Sequence, residues 1–193
     1  MMSTRACVAG AWRMCMEMVS SATLPNGWYS LRWYSVAALV VVLDQYTKGL
    51  ASSGLDYGRP VEVWSWFNLT LQHNTGAAFS FLSDAGGWQR YFLSGLAVAI
   101  CAALVRWLYV MPREQRLLAL SLGLIMGGAL GNLWDRLVLG YVVDFISVHY
   151  EGSYFPAFNI ADAAISVGAA LMIFDSLFGQ DEADGQERGS TAK

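Results

Sequence analysis

What the chain has little of is charge. Of its 193 residues only 14% are Asp, Glu, Lys or Arg, against 55% hydrophobic, and the mean hydropathy is +0.39. That leaves too little polar surface for an ordinary water-soluble domain, so an integral membrane protein is expected. Histidine is scarce as well. His73 and His149 are the two present, with no HExxH run, which leaves metallopeptidase chemistry unsupported. The cysteines, Cys7, Cys15 and Cys101, show no CxxC spacing, which argues against a structural metal or a disulfide framework. Ser147 and Ser153 lack a GxSxG setting, no basic cluster suggests nucleic acid, and no internal repeat is visible. The net charge of −3 is shaped by Asp181, Glu182, Asp184 and Glu187, which crowd a C-terminal tail that reads as disordered.

What is present is apolar sequence in span-sized pieces. A bilayer core of about 30 Å needs roughly 20 helical residues, and four stretches qualify, at about 31–52, 91–110, 117–139 and 161–177. The expected architecture is an all-α membrane protein in which residues 31–178 form one domain of four transmembrane helices. A cytoplasmic extension (1–30) precedes it and a disordered cytoplasmic tail (179–193) follows. The extension lacks the clean cleavage site of a secretory signal. Arg5 and Arg13 before the first span and Arg32 at its start, with Arg106, Arg113 and Arg116 around the second connection, place both termini in the cytoplasm by the positive-inside rule. Residues 57–82 read differently. Val61, Val63, Phe67, Leu69 and Leu71 alternate with Glu62, Asn68, Thr70 and Gln72, a period of two that predicts a small amphipathic sheet on the outer membrane surface. Trp64 and Trp66 are residues of membrane interfaces, and Asn74 and Gly76 supply a turn. His73 beside them reads as incidental. The connection at about 141–158 falls on the same outer side and reads as a loop.

Polar residues at the edges of these spans are the informative ones, because ionisable groups beside hydrocarbon are costly and usually functional. Asp44 and Lys48 lie four apart on one helix face, which fits either a local ion pair with Lys48 snorkelling to the surface or a functional pair. Gly123, Gly127 and Gly131 form a stripe that admits a close neighbour helix. The stripe runs straight into Asn132, Asp135 and Arg136, so this helix end is expected to face a wet cavity. Asn159 is a candidate N-cap for the last span, and Asp162 stands where a capping box ends. Asp162 therefore has a structural reading beside a functional one.

Asp144 and Asp162 are read at the exit and the entrance of adjacent helices, both at the outer face, so the hairpin connection can bring them together. Two close carboxylates cannot both ionise cheaply near neutral pH and titrate as a pair. One then takes a proton from water while the other donates to a carbonyl oxygen or leaving amine, the arrangement of aspartic proteases. A metal held by Asp144, Asp162 and His149 is a lesser reading, since zinc sites usually carry more than one histidine or cysteine. The rival of another class is a proton- or ion-coupled transporter, which predicts carboxylates near mid-bilayer and broken helices.

Four runs, LDQYTK (43–48), FNLTLQHNTGAAFSFL (67–82), GGALGNLWDRLVLGYVVDFI (127–146) and FNIADAAI (158–165), closely resemble bacterial lipoprotein signal peptidase, the type II signal peptidase. They occur in that family's order and cover most of residues 31–177. The resemblance implies an inner-membrane aspartic endopeptidase of four helices with an outer β-cradle, active near the extracytoplasmic face. It would act as a monomer without a cofactor or metal, cleaving prolipoproteins on the amino side of a diacylglyceryl-modified cysteine. By motif position it implies Asp144 and Asp162 as the catalytic pair. The support and substrate-binding residues it implies are Asp44, Asn74, Gly128, Asn132, Arg136, Asn159 and Ala161, and Lys48 is counted with them as the partner of Asp44. Trp134 is bulkier than the aliphatic residue usual in GNLWDR, a difference that bears on local packing.

Overall fold

The computed structural model describes residues 25–76 and 87–178. The expected cytoplasmic extension up to residue 24, the distal end of the cradle (77–82) and the tail from residue 179 lie outside the described residues. A 3-10 turn at Gly27–Ser30 leads into α1 (Leu31–Gly54), followed by β1 (Val61–Trp64), β2 (Phe67–Asn74), α2 (Trp88–Val110), α3 (Arg116–Val138), β3 (Val142–Tyr150), β4 (Ser153–Tyr154) and α4 (Ile160–Phe178).

Among the described residues three helices, α2, α3 and α4, are long and apolar enough to cross a membrane. Four were expected on the sequence. The 24-residue α1 has the length, but Asp44, Gln45, Thr47 and Lys48 interrupt its apolar run. Asp44 and Lys48 are buried and Gln45 reaches across to α3, so their polarity reports on the protein interior and not on what surrounds the helix.

The centre of the bundle is α3. Over its apolar stretch 56% is buried, against 22% for α2 and 17% for α4, which leaves the outer helices broadly exposed as lipid-facing helices are. Its glycines explain why. A Cβ on Gly127 would come within 2.7 Å of Val40 Cβ and 2.8 Å of the Ala37 carbonyl on α1, and one on Gly128 would collide with the Ala161 carbonyl at the start of α4. Without a hydrophobic driving force between helices in lipid, such backbone proximity is what packing rests on. Trp134 points outward and is 57% exposed, so its bulk adds nothing to these contacts. The apolar core lies toward the other end of the bundle, where Ala37, Leu104, Leu108, Met111, Ala119, Leu122 and Met126 interdigitate.

The sheet is larger than expected. Its order is β1-β2-β3-β4 and every pairing is antiparallel. The connection read as a loop supplies β3, nine residues long, which aligns Asn68 with Ser147 and Gln72 with Asp144 across an irregularity between Leu69 and Gln72. Val142, Val143, Asp144 and Phe145 are all buried, so this segment lacks the alternation that advertises a strand. In β2 the polar Asn68 and Thr70 are buried along with Leu71, while Phe67 and Leu69 are half-buried. Trp64 and Trp66 stack at 5.5 Å and stay exposed.

Candidate active site

Where β3, the start of α4 and the end of α3 meet, the polar side chains form one connected cluster. Asn159 is its centre. It caps α4 by a reciprocal pair: its Oδ1 accepts the Asp162 backbone N–H at 3.0 Å, and Asp162 Oδ2 accepts the Asn159 backbone N–H at 3.3 Å. This is a capping box with aspartate as its last member, and it satisfies two donors that a helix start otherwise leaves open. The same Asn159 donates through Nδ2 to Asp144 Oδ1 at 2.7 Å, and makes longer contacts to the Val143 carbonyl and to Asn132 Oδ1. One fully buried residue therefore touches both aspartates.

Each aspartate is held from a second side. Asn74, at the end of β2, donates to Asp144 Oδ2 at 3.1 Å, while its own Oδ1 accepts the Gly76 backbone N–H. Asn132 on α3 donates to Asp162 Oδ1 at 2.7 Å. Arg136, one turn on, donates to the carbonyls of Asn132 and Gly76, tying α3 to the segment after β2. It makes no hydrogen bond to either aspartate. Asp144 stands on a strand and not at a helix mouth, a correction to the sequence reading that follows from the unanticipated β3.

Asp144 is 3% exposed. Its carboxyl is pushed from an ordinary 3.8 to about 7, first by burial and then by the negative charge of Asp162, against the opposing pull of the Asn74 and Asn159 hydrogen bonds and of Lys48. Both aspartates line a cavity of about 1010 Å³, together with Asn74, Asn132, Arg136, the aromatic pair Phe155 and Phe158, and the apolar α4 residues Ile165 and Val167. His73 also lines it and stacks on Tyr141 at 4.0 Å. His149 stacks on Tyr154 instead, and among the described residues no three His, Cys, Asp or Glu side chains are grouped to hold a metal ion.

Of the remaining residues drawn from the sequence, Ala161 and Gly128 are packing partners, as described above. Asp44 and Lys48 do form a pair, at 2.8 Å, but the snorkelling reading fails: Lys48 is 3% exposed and also binds Asp135 at 2.9 Å and Asn132 Oδ1 at 3.0 Å. A surface-directed ammonium would leave the buried Asp44 and Asp135 carboxylates unpaired. Sequence reasoning noted Asp135 without assigning it to the site, and passed over Gln45, which donates to Asp135 Oδ1 at 2.8 Å. The signal available for Asp135 was its charge inside an apolar span. Gln45 carried no such signal.

The family model for signal peptidase (SPase) II matches residues 36–178. The chain belongs to the signal peptidase II family. It is 56% identical over 150 residues to the lipoprotein signal peptidase of Teredinibacter turnerae, covering 78% of this chain and 89% of that one. A lipoprotein signal peptidase of Acinetobacter baumannii is 54% identical, covering 78% and 85%. Among solved structures, two described as bacterial membrane enzymes superpose with TM-scores of 0.69 and 0.67, each 33% identical. They cover 76% of this chain and 87% and 93% of theirs. As a signal peptidase II the chain is a protease of the bacterial membrane, and the transporter reading finds no support.

Proposed function

We propose that this signal peptidase II is an aspartic endopeptidase that removes signal peptides from diacylglyceryl-modified prolipoproteins, with Asp144 and Asp162 as the pair that activates water. The observation that carries the reading is the joint hold of Asn159 on both carboxylates at the wall of one cavity, with Asp144 raised to about 7. With its carboxyl raised to about 7, Asp144 is available in its protonated form near neutral pH. Water enters between the carboxylates and Asp162 takes its proton as the hydroxide attacks the scissile carbonyl. Asp144 gives its proton to the carbonyl oxygen. Collapse of the tetrahedral intermediate returns a proton to the leaving amine, which releases the signal peptide's new carboxyl end and the amine of the lipid-bearing cysteine.

The apolar wall of Phe155, Phe158, Ile165 and Val167 suits the lipid. A diacylglyceryl group gains about 0.8 kcal/mol per buried CH₂ in hydrocarbon, which keeps the cysteine at the membrane edge and presents its bond to the pair. In this reading α1 is the fourth span, the sheet and cavity face the extracytoplasmic side, both termini are cytoplasmic, and the enzyme works as a monomer. Support for the orientation comes from Arg106, Arg113 and Arg116 at the α2–α3 connection, opposite the sheet. Asn132 and Arg136 brace the site, the former through Asp162 and the latter through the segment at Gly76.

The test is cleavage of a diacylglyceryl-modified prolipoprotein by purified enzyme, with and without chelator. Asp144→Asn and Asp162→Asn are each expected to lose at least about 10³-fold in kcat, and chelator is expected to change nothing. Retained cleavage in either variant removes the pair from the mechanism.

A further inference from the structure

Behind the pair lies a second set of buried charges that the proposed chemistry does not use. Asp44 and Asp135 come from different helices, yet they make the same contact. Asp44 Oδ1 accepts the backbone N–H of Ala161 at 2.9 Å, and Asp135 Oδ2 accepts the backbone N–H of Val143 at 3.1 Å. Ala161 is the residue immediately before Asp162, and Val143 the residue immediately before Asp144. Lys48 Nζ then bridges the two carboxylates, at 2.8 Å to Asp44 and 2.9 Å to Asp135. All three side chains are at least 97% buried.

We propose that Asp44, Lys48 and Asp135 form a clamp that sets the separation of the two active-site aspartates by holding the main chain one residue upstream of each. The inference rests on Asp144 and Asp162 acting as a pair. Asp144 stands on β3 and Asp162 in the first turn of α4; a backbone bridge between Ile146 and Phe158 joins the two segments, but it includes neither aspartate nor the residue upstream of either. Something must fix one relative to the other to a fraction of an ångström, because a shared proton and an oriented water tolerate little play. The ammonium is suited to this. Its distances to the two carboxylates are alike, and its third contact, to Asn132 Oδ1, orients that amide so that Nδ2 faces Asp162. Gln45 closes the back of the clamp, donating to Asp135 at 2.8 Å and to Asp44 at 3.2 Å. Buried ion pairs are poor devices for stability, since desolvation offsets most of the attraction, and geometric specification is their better-attested use. Gly131 leaves the space: a Cβ there would stand 2.6 Å from Asp44 Oδ2. Asp44, Lys48 and Asp135 are on this account positioning residues, since none of them lines the cavity.

The experiment compares Asp135→Ala with Asp135→Asn, and Asp44→Ala with Asp44→Asn, in full-length enzyme in detergent, measuring kcat, KM and thermal unfolding. An asparagine keeps an acceptor for the upstream N–H, whereas alanine keeps none. The clamp predicts that each alanine variant loses about 10- to 100-fold in kcat with KM within about twofold, and that asparagine at Asp135 restores most of the loss. The Asp44 arm reads the α4 side independently and decides the matter if Asp135→Ala does not fold. A kcat per folded enzyme equal to wild type in the alanine variants overturns the proposal, as does a loss that asparagine fails to relieve at both positions. Asp144→Asn and Asp162→Asn run alongside. If those two retain cleavage, the pair itself fails; if they are inactive while the alanine variants are not, the clamp alone fails.

Discussion

At the residue scale the decisive quantity is the proton on Asp144. Its folded-state value of about 7 lies above the ordinary 3.8, so the folded enzyme keeps a proton that the unfolded chain gives up. Two outcomes follow. Activity that needs this proton falls as pH rises through about 7, a limb to be read from kcat over pH, and Asp162→Asn, which removes a neighbouring negative charge, lowers the Asp144 value as read by carboxyl NMR. Stability behaves in the same sense. Between about pH 4 and 7 the unfolded state progressively ionises Asp144 while the folded state does not, so wild-type stability declines across that window by up to about 4 kcal/mol. Asp144→Asn is expected to lack that decline in thermal unfolding, and a decline as steep as that of wild type would contradict the assignment. Asn159 is the other residue where function and stability meet. Asn159→Ala removes a cap worth about 0.5 to 2 kcal/mol and the link between the aspartates. A modest fall in melting temperature should accompany a kcat loss of at least about 100-fold, far more than the cap energy explains.

At the scale of elements, the glycine stripe of α3 was legible in the sequence, and its partners were not. Spacing by four identifies a face, but only the assembled bundle shows Gly127 against α1 and Gly128 against the first turn of α4. Gly128→Ala drives a methyl group into the Ala161 carbonyl, which is backbone and cannot swing aside. A cost of about 1 to 3 kcal/mol is expected for such overpacking, together with displacement of Asp162 next to it. Cleavage should fall even in preparations that remain folded, whereas Gly49→Ala, with open space around it, should be silent in the same assay. The cap at Asn159 and the turn at Asn74 and Gly76 were equally readable, because both are local chemistry. What escaped was β3. A strand buried on both faces carries no alternation, and the aspartate it holds was drawn instead to the nearest helix end. The buried role of Lys48 escaped for a related reason: four-residue spacing reveals Asp44, but not Asp135, which is 87 residues away in sequence and adjacent only in space.

At the scale of the whole molecule, sidedness organises the reading. With the native cysteines replaced, Tyr150→Cys on the exposed end of β3 should react with a membrane-impermeant maleimide in intact cells, and Glu114→Cys in the α2–α3 connection only after permeabilisation. The reverse pattern would invert the proposed orientation. Family membership was recoverable from four short runs occurring in the family's order. The amphipathic period of β1 and β2 likewise announced a sheet.

The pairing of Asp44 with Lys48 has a consequence in time. On the four-span reading, α1 leaves the ribosome before α3 and α4 have been made, so its two inward charges enter the bilayer with neither Asp135 nor the Ala161 N–H available. Four-residue spacing lets them neutralise each other during that interval. The lysine later acquires its second carboxylate without giving up the first, and so the helix that is least at home in lipid is able to go in ahead of its partners.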